Sequence, residues 1–172
     1  MPQHRKIIYI IPYIFIFFFL IFEASYKSLL YFGSVTPLYE YTVIFYWCLF
    51  LPRSLPFWVI FVIGIIRDAV LLSPIGLSSV AFVLLKWLID KQHSKGSSFF
   101  LIWIVYIIDI TIVMLVQFVL LNIGFNFSYN FMNIIELFIK KWGVTCMLYP
   151  LMHFIFFVCR NTLIYSKSDV LS

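Results

Sequence analysis

Six apolar runs, divided by short polar or proline-bearing breaks, fill nearly the whole chain. The longest, Phe99 to Leu121, is 23 residues interrupted by Asp109, Thr111 and Gln117. At about 1.5 Å per residue it reaches roughly 34 Å, enough to cross a bilayer core of about 30 Å. A helix apolar on all sides belongs either inside a large soluble core or in a membrane. Composition decides between them. Only 11% of the 172 residues are charged, 64% are hydrophobic and mean hydropathy is +1.06, so the chain cannot supply the polar surface of a soluble domain.

The expected fold is therefore all-α: one integral membrane domain over residues 1–172, a polytopic bundle with helices near 7–25, 37–51, 57–72, 75–90, 99–121 and 142–160. Five spans are the alternative. Several runs fall short of about 20 residues, and the third and fourth, parted by Ser73-Pro74-Ile75-Gly76, can instead form one broken hairpin. His4-Arg5-Lys6 followed by Ile7 to Phe22 has the charge and apolar pattern of a signal peptide. Glu23-Ala24-Ser25-Tyr26 lacks a small-x-small cleavage site, so the segment reads as an uncleaved first helix. Pro37 suits a helix start, where its missing N–H costs nothing. Pro52, Arg53, Ser54 and Pro56 mark a tight turn, Lys91 to Ser98 a polar loop, and Asn122 to Asn133, alternating Asn with Phe and Tyr, an interfacial segment.

Charge sets the expected orientation. With six helices, Arg5, Lys6, Arg53, Lys86, Lys91, Lys95, Arg160 and Lys167 lie on one side and Lys27, Arg67, Lys140 and Lys141 on the other. The eight-to-four bias puts both termini in the cytoplasm of a bacterial inner membrane. The net charge of +5 reflects this bias, because no basic patch or nucleic-acid motif accompanies it. Cys48, Cys146 and Cys159 sit in apolar runs at spacings that fit no zinc or redox motif. No H-E-x-x-H, G-x-S-x-G or P-loop occurs, nor a carboxylate pair at catalytic spacing. Neither a cofactor nor a metal is expected, and the chain reads as a non-enzyme.

Ionisable residues inside a membrane are costly and so mark candidate sites. Asp109 lies halfway along the fifth run and shares a broad helical face with Trp103, Tyr106, Val113 and Gln117. A packing hydrogen bond to another helix ranks ahead of ion transport, because no second acid accompanies it. Tyr149 and His153, on one face of the last run with Thr145 and Arg160, are the expected partners; Pro150 is expected to kink that helix. Asp68 follows Gly64 by one turn, and Gly64 permits close helix approach. Arg67 and Asp68 point about 100° apart and make poor partners, so Asp68 reads as an interfacial charge held by the turn after it. Glu40 is expected at the interface and Asp90 in water.

One pattern goes beyond hydrophobicity. Pro37, Tyr46-Trp47, Leu51-Pro52, Gly64, Asp68 and Pro74-Ile75-Gly76 occur in an order and spacing that resembles the rod shape-determining protein MreD family. Asp109 to Gln117 with Asn122 and Phe125 is similar to that family's penultimate helix, and Pro150 to a proline in its last. The likeness runs from Pro37 to Arg160. Two positions depart: Arg67 stands where a neutral residue is usual, and Gln117 where the family has a glutamate-like position. The resemblance implies a non-enzymatic scaffold of the cell-elongation and peptidoglycan-synthesis machinery. Its implied partners are an MreC-like bitopic protein, an MreB-like actin homologue, a RodA-like glycosyltransferase and a class B penicillin-binding transpeptidase. It also implies a shape similar to the substrate-binding subunits of energy-coupling-factor vitamin transporters, which supply the rival function. Such subunits dock through small residues in the first helix, where this chain has Phe15-Ile16-Phe17-Phe18-Phe19-Leu20.

Overall fold

The computed structural model describes residues 4–29, 37–92, 98–124 and 131–165. These residues form six helices and no strand: α1 (His4–Leu29), α2 (Tyr39–Phe50), α3 (Phe57–Val70), α4 (Leu77–Lys91), α5 (Phe99–Gly124) and α6 (Phe131–Tyr165). The Lys91 to Ser98 loop and the Asn122 to Asn133 segment fall mostly outside the described residues.

The short helix α2 is the centre of the fold. Its sequence has no polar face, and such a helix must be buried on all sides. Ten of its twelve residues are buried, with Tyr41, Tyr46 and Trp47 fully enclosed. Phe15 of α1 stacks on Trp47, Phe82 of α4 meets Tyr41 edge-on, and Tyr106 of α5 and Tyr149 of α6 both meet Phe45 edge-on.

The starts of α2 and α6 both depart from the expected bounds. α2 begins at Tyr39 and not at Pro37, because the backbone N–H of Leu38 is taken by Thr145 Oγ1 of α6 at 3.1 Å before the chain turns helical. α6 begins eleven residues before Trp142. Glu136 and Lys140 lie within this earlier stretch of helix and form an i,i+4 pair at 2.5 Å.

Two turns link α2 to α3 and α3 to its packing partner α4. In the first, Ser54 N and Oγ both donate to Leu51 O, Pro52 lies at the bend and Pro56 opens α3, where no N–H is needed. In the second, Gly76 adopts φ 97°, a conformation open to glycine at no steric cost. Contacts sort the bundle into two ends. At one end Tyr13 OH donates to Ser54 O, Lys86 Nζ donates to Pro52 O, and the Arg160 guanidinium lies over Phe50. The other end holds the α3–α4 turn and the starts of α2 and α4.

α6 continues through Pro150. A proline inside a helix leaves the carbonyl four residues earlier without its donor. Here that carbonyl belongs to Cys146, and Trp103 Nε1 of α5 donates to it at 3.2 Å. Trp103→Phe keeps an aromatic ring, though a smaller one, and removes the donor. It is expected to lower stability by about 1 kcal/mol, while adding Trp103→Phe to Pro150→Ala should cost much less, since the helix then satisfies its own carbonyl. Thermal unfolding of the four variants in detergent measures the coupling.

Residues 99–123 of α5 and 135–162 of α6 are long and apolar enough to cross a membrane. Helices α2, α3 and α4, at 12, 14 and 15 residues, reach only roughly 18–22 Å. The outward faces of α1, α3, α5 and α6 carry large exposed apolar side chains, among them Phe17, Trp58, Leu115 and Phe154. An apolar surface of this extent needs a membrane or partner proteins to cover it.

Candidate functional site: a buried charge cluster and its adjoining cavity

The densest polar chemistry lies where the ends of four helices meet. Arg67 sits in the last turn of α3, buried, with its guanidinium reaching all three neighbours. Nη2 donates to both carboxylate oxygens of Glu23 in α1 at 3.2 Å, and Nη1 donates to Ser78 Oγ of α4 at 2.8 Å. Nε lies 3.7 Å from Glu40 Oε2 of α2, an ion pair without a hydrogen bond. The guanidinium also packs near the rings of Tyr41 and Phe82. Two carboxylates thus share one cation, all three nearly closed off. Glu40, expected at the interface, is completely buried. Its burial has a local cause: α2 is the central helix, so even its first turn is covered by its neighbours.

Asp68 does different work beside it. Its carboxylate accepts from Ser73 Oγ at 2.9 Å, Gly76 N at 2.8 Å and Ser78 N at 3.0 Å. It closes the α3–α4 turn and caps the start of α4, whose N-cap residue, Gly76, has no side chain to do so. Arg67 and Asp68 do not pair, as their separation around the helix requires. Gly64 lies on the α3 face that meets Ser79 of α4, where a Cβ would fall 2.4 Å from Ser79 Cα.

Gln117 of α5 continues the cluster. Its Nε2 donates to Tyr41 OH at 2.7 Å, in the buried layer beneath Arg67. Deeper in the bundle, Thr42 Oγ1 and Tyr106 OH share a hydrogen bond at 2.8 Å, and the Tyr106 and Tyr149 rings stack at 4.1 Å.

Asp109 is buried, but it pairs with neither of its expected partners. Gln92 at the end of α4 donates to Oδ1 at 2.8 Å, and Oδ2 has no partner among the described residues. The reason is angular. Asp109 is rotated about 60° from Tyr106 around α5, so it faces α4 while Tyr106 faces α2 and α6. Tyr149 OH instead bonds His153 Nδ1 at 3.1 Å, and the His153 ring is boxed edge-on by Tyr46, Phe50 and Phe99. Asp109→Asn should be tolerated, whereas Asp109→Leu and Gln92→Ala should each lower stability by roughly 0.6–1.7 kcal/mol. Chemical denaturation in mixed micelles reads all three; equal loss in Asn and Leu would indicate that the carboxylate charge itself is needed.

Sequence reasoning missed the Glu23–Arg67–Glu40 connection, and also Gln92. The available signal was positional: three charges lie near the ends of three different apolar runs, and alternating run direction brings those ends to one side. Among the described residues no group of three His, Cys, Asp or Glu side chains is placed to hold a metal ion.

A cavity of about 320 Å³ opens beside the cluster, between the α3–α4 turn and helices α5 and α6. Arg67, Tyr41, Ser78, Gln117 and Lys141 contribute its polar lining, and the rest is largely apolar. No protein-family model, curated protein or solved structure matches this chain.

Proposed function

We propose that this chain is a six-span protein of the bacterial inner membrane, with both termini cytoplasmic, that acts as a non-enzymatic scaffold for the cell-elongation machinery. The observation that carries this reading is how the interior polar groups are arranged. Arg67, Asp68, Thr42, Tyr106 and Gln117 each bond to another helix or to a turn. Side chains committed in this way fix helix positions and present outer faces to other proteins. The outward apolar faces of α1, α3, α5 and α6 are suited to lipid and to partner helices. The short helix α2 is accommodated because its neighbours enclose it, and local thinning of the bilayer accommodates α3 and α4.

The partners that go with this reading are those of the MreD-like pattern: an MreC-like bitopic protein, an MreB-like filament, a RodA-like glycosyltransferase and a class B transpeptidase. Depletion should round rod-shaped cells and misplace new wall material, with complementation by the wild-type chain. The second reading is a vitamin-type substrate-binding subunit, and the cavity beside Arg67 is the observation in its favour. Depletion that left wall synthesis normal and abolished uptake of a vitamin would select that reading instead.

A further inference from the structure

The end of α3 is closed in an unusual way. Ser73 N donates to Asp68 O at 3.0 Å, the bond that ends a helix through one left-handed residue. That residue is Leu72, at φ 51°. Glycine, or sometimes asparagine, ordinarily stands at this position, because a bulky side chain is strained there. Leu72 takes the strain and is 93% exposed, and Ile75, three residues on, is 79% exposed. Much of the turn's backbone is satisfied internally. The N–H groups of Leu71, Ser73, Gly76, Leu77 and Ser78 all find acceptors within it, and Pro74 has none to satisfy. Strain is therefore spent on holding an aliphatic side chain outward, at a place where the fold itself gives it nothing to pack against.

The two ends of the α3–α4 pair differ in what they expose. At the start of α3 and the end of α4, Arg53, Trp58, Trp87 and Lys91 are exposed, and Lys91 Nζ lies 3.8 Å from the centre of the Trp87 ring. Tryptophan and basic side chains of this kind mark a membrane–water interface. At the turn end every exposed residue from Ile65 to Val80 is apolar, while Arg67 and Asp68 are turned inward. This end has no aromatic or basic belt to hold it at a second interface. With 14 residues α3 reaches only about 21 Å, so the turn meets the far headgroups where the bilayer is thin. What covers Leu72 and Ile75 there follows from their chemistry. The one hydroxyl between them, Ser73 Oγ, is already bonded to Asp68. The tip thus offers a protein partner no polar group to recognise, whereas fluid acyl chains require none.

We propose that Leu72 and Ile75 insert among lipid acyl chains and anchor the α3–α4 turn at the headgroup–acyl boundary. The proposal rests on the membrane-spanning reading above. Leu72→Cys is labelled with an environment-sensitive fluorophore and reconstituted as the full chain in phosphatidylcholine nanodiscs, where both faces are open to solvent. Ser98→Cys, exposed just before α5, is the water-side control. Wild type, whose Cys48 and Cys146 are buried and Cys159 half-buried, is labelled in parallel as the background. Iodide should quench the Ser98→Cys label and lose most of its effect on the Leu72→Cys label. Lipids bearing a nitroxide high on the acyl chain should do the reverse, and should quench the Leu72→Cys label more than lipids bearing it at the chain end. Ile75→Cys should behave as Leu72→Cys does and carries the test if that variant fails to assemble. Equal iodide quenching at Leu72→Cys and Ser98→Cys would place the turn in water and overturn the proposal. Protection from both quenchers would mean that a protein surface, such as a second copy, covers the tip, and stronger quenching from the chain end would place it too deep; either result overturns the proposal as well. Alkaline carbonate extraction of the same cells separates the two failures. A chain that is washed out contradicts the membrane reading, while one that stays in the membrane with its turn open to iodide contradicts the anchor alone.

Discussion

Arg67→Met should be among the most damaging substitutions in the protein, at about 3–5 kcal/mol of lost stability. The guanidinium is the cation that Glu23 and Glu40 share, and both carboxylates are nearly closed off from solvent. Removing it leaves two buried anions facing each other, and Ser78 Oγ loses its donor. The cost comes from stranding charge and not from losing an attraction. Replacing all three members, as Glu23→Leu, Glu40→Met and Arg67→Met together, should therefore recover most of the loss, because buried ion clusters exchanged for well-packed apolar groups are often neutral. Monodispersity and thermal midpoint in detergent measure both variants. A triple variant as unstable as Arg67→Met would mean that the cluster holds the helices through specific geometry.

Gly64→Val should rank beside it. A Cβ at this position would meet Ser79 Cα at 2.4 Å, Ser79 N at 2.5 Å and Ser79 Oγ at 2.7 Å. The first two are backbone atoms and cannot rotate away. Helices α3 and α4 would have to separate, which lengthens the Ser79 Oγ to Phe61 O bond of 3.0 Å and shifts the Asp68 cap on α4. Overpacking of this kind costs about 1–3 kcal/mol and sometimes more. Gly64→Ala already introduces the clash and should show most of the effect. Gly143→Ala is the matched control, since nothing lies within 4 Å of a Cβ there. Urea or detergent denaturation of the three variants should separate Gly64 from Gly143; equal behaviour would contradict the close approach.

The parts of this fold that were readable from sequence are the local ones. Helix positions follow from apolar runs, and the turns at Pro52 and Gly76 follow from residues with few backbone options. Asp68 was readable as a turn carboxylate because its partners lie five to ten residues away. Asp109 was readable as buried because its neighbours on one helical face are also apolar or polar-neutral. Its partner was not, since Gln92 belongs to the polar Lys91 to Ser98 stretch and the choice between α4 and α6 depends on rotation of whole helices. Glu23 and Glu40 lie 44 and 27 residues from Arg67, so pairing them requires knowledge of how α1, α2 and α3 meet. The start of α6 was misplaced because Glu136, Lys140 and Lys141 interrupt hydropathy without interrupting helical geometry.

The central claim is that the chain works by holding other membrane proteins. It is tested most directly by purifying the chain from native membranes in mild detergent and identifying every co-purifying component by intact mass. A scaffold of the elongation machinery should retain a bitopic membrane protein in fixed ratio, with a polytopic glycosyltransferase and a transpeptidase recovered after cross-linking. Recovery of an ATPase-coupled transport partner together with a bound vitamin, and no wall-synthesis protein, would contradict it.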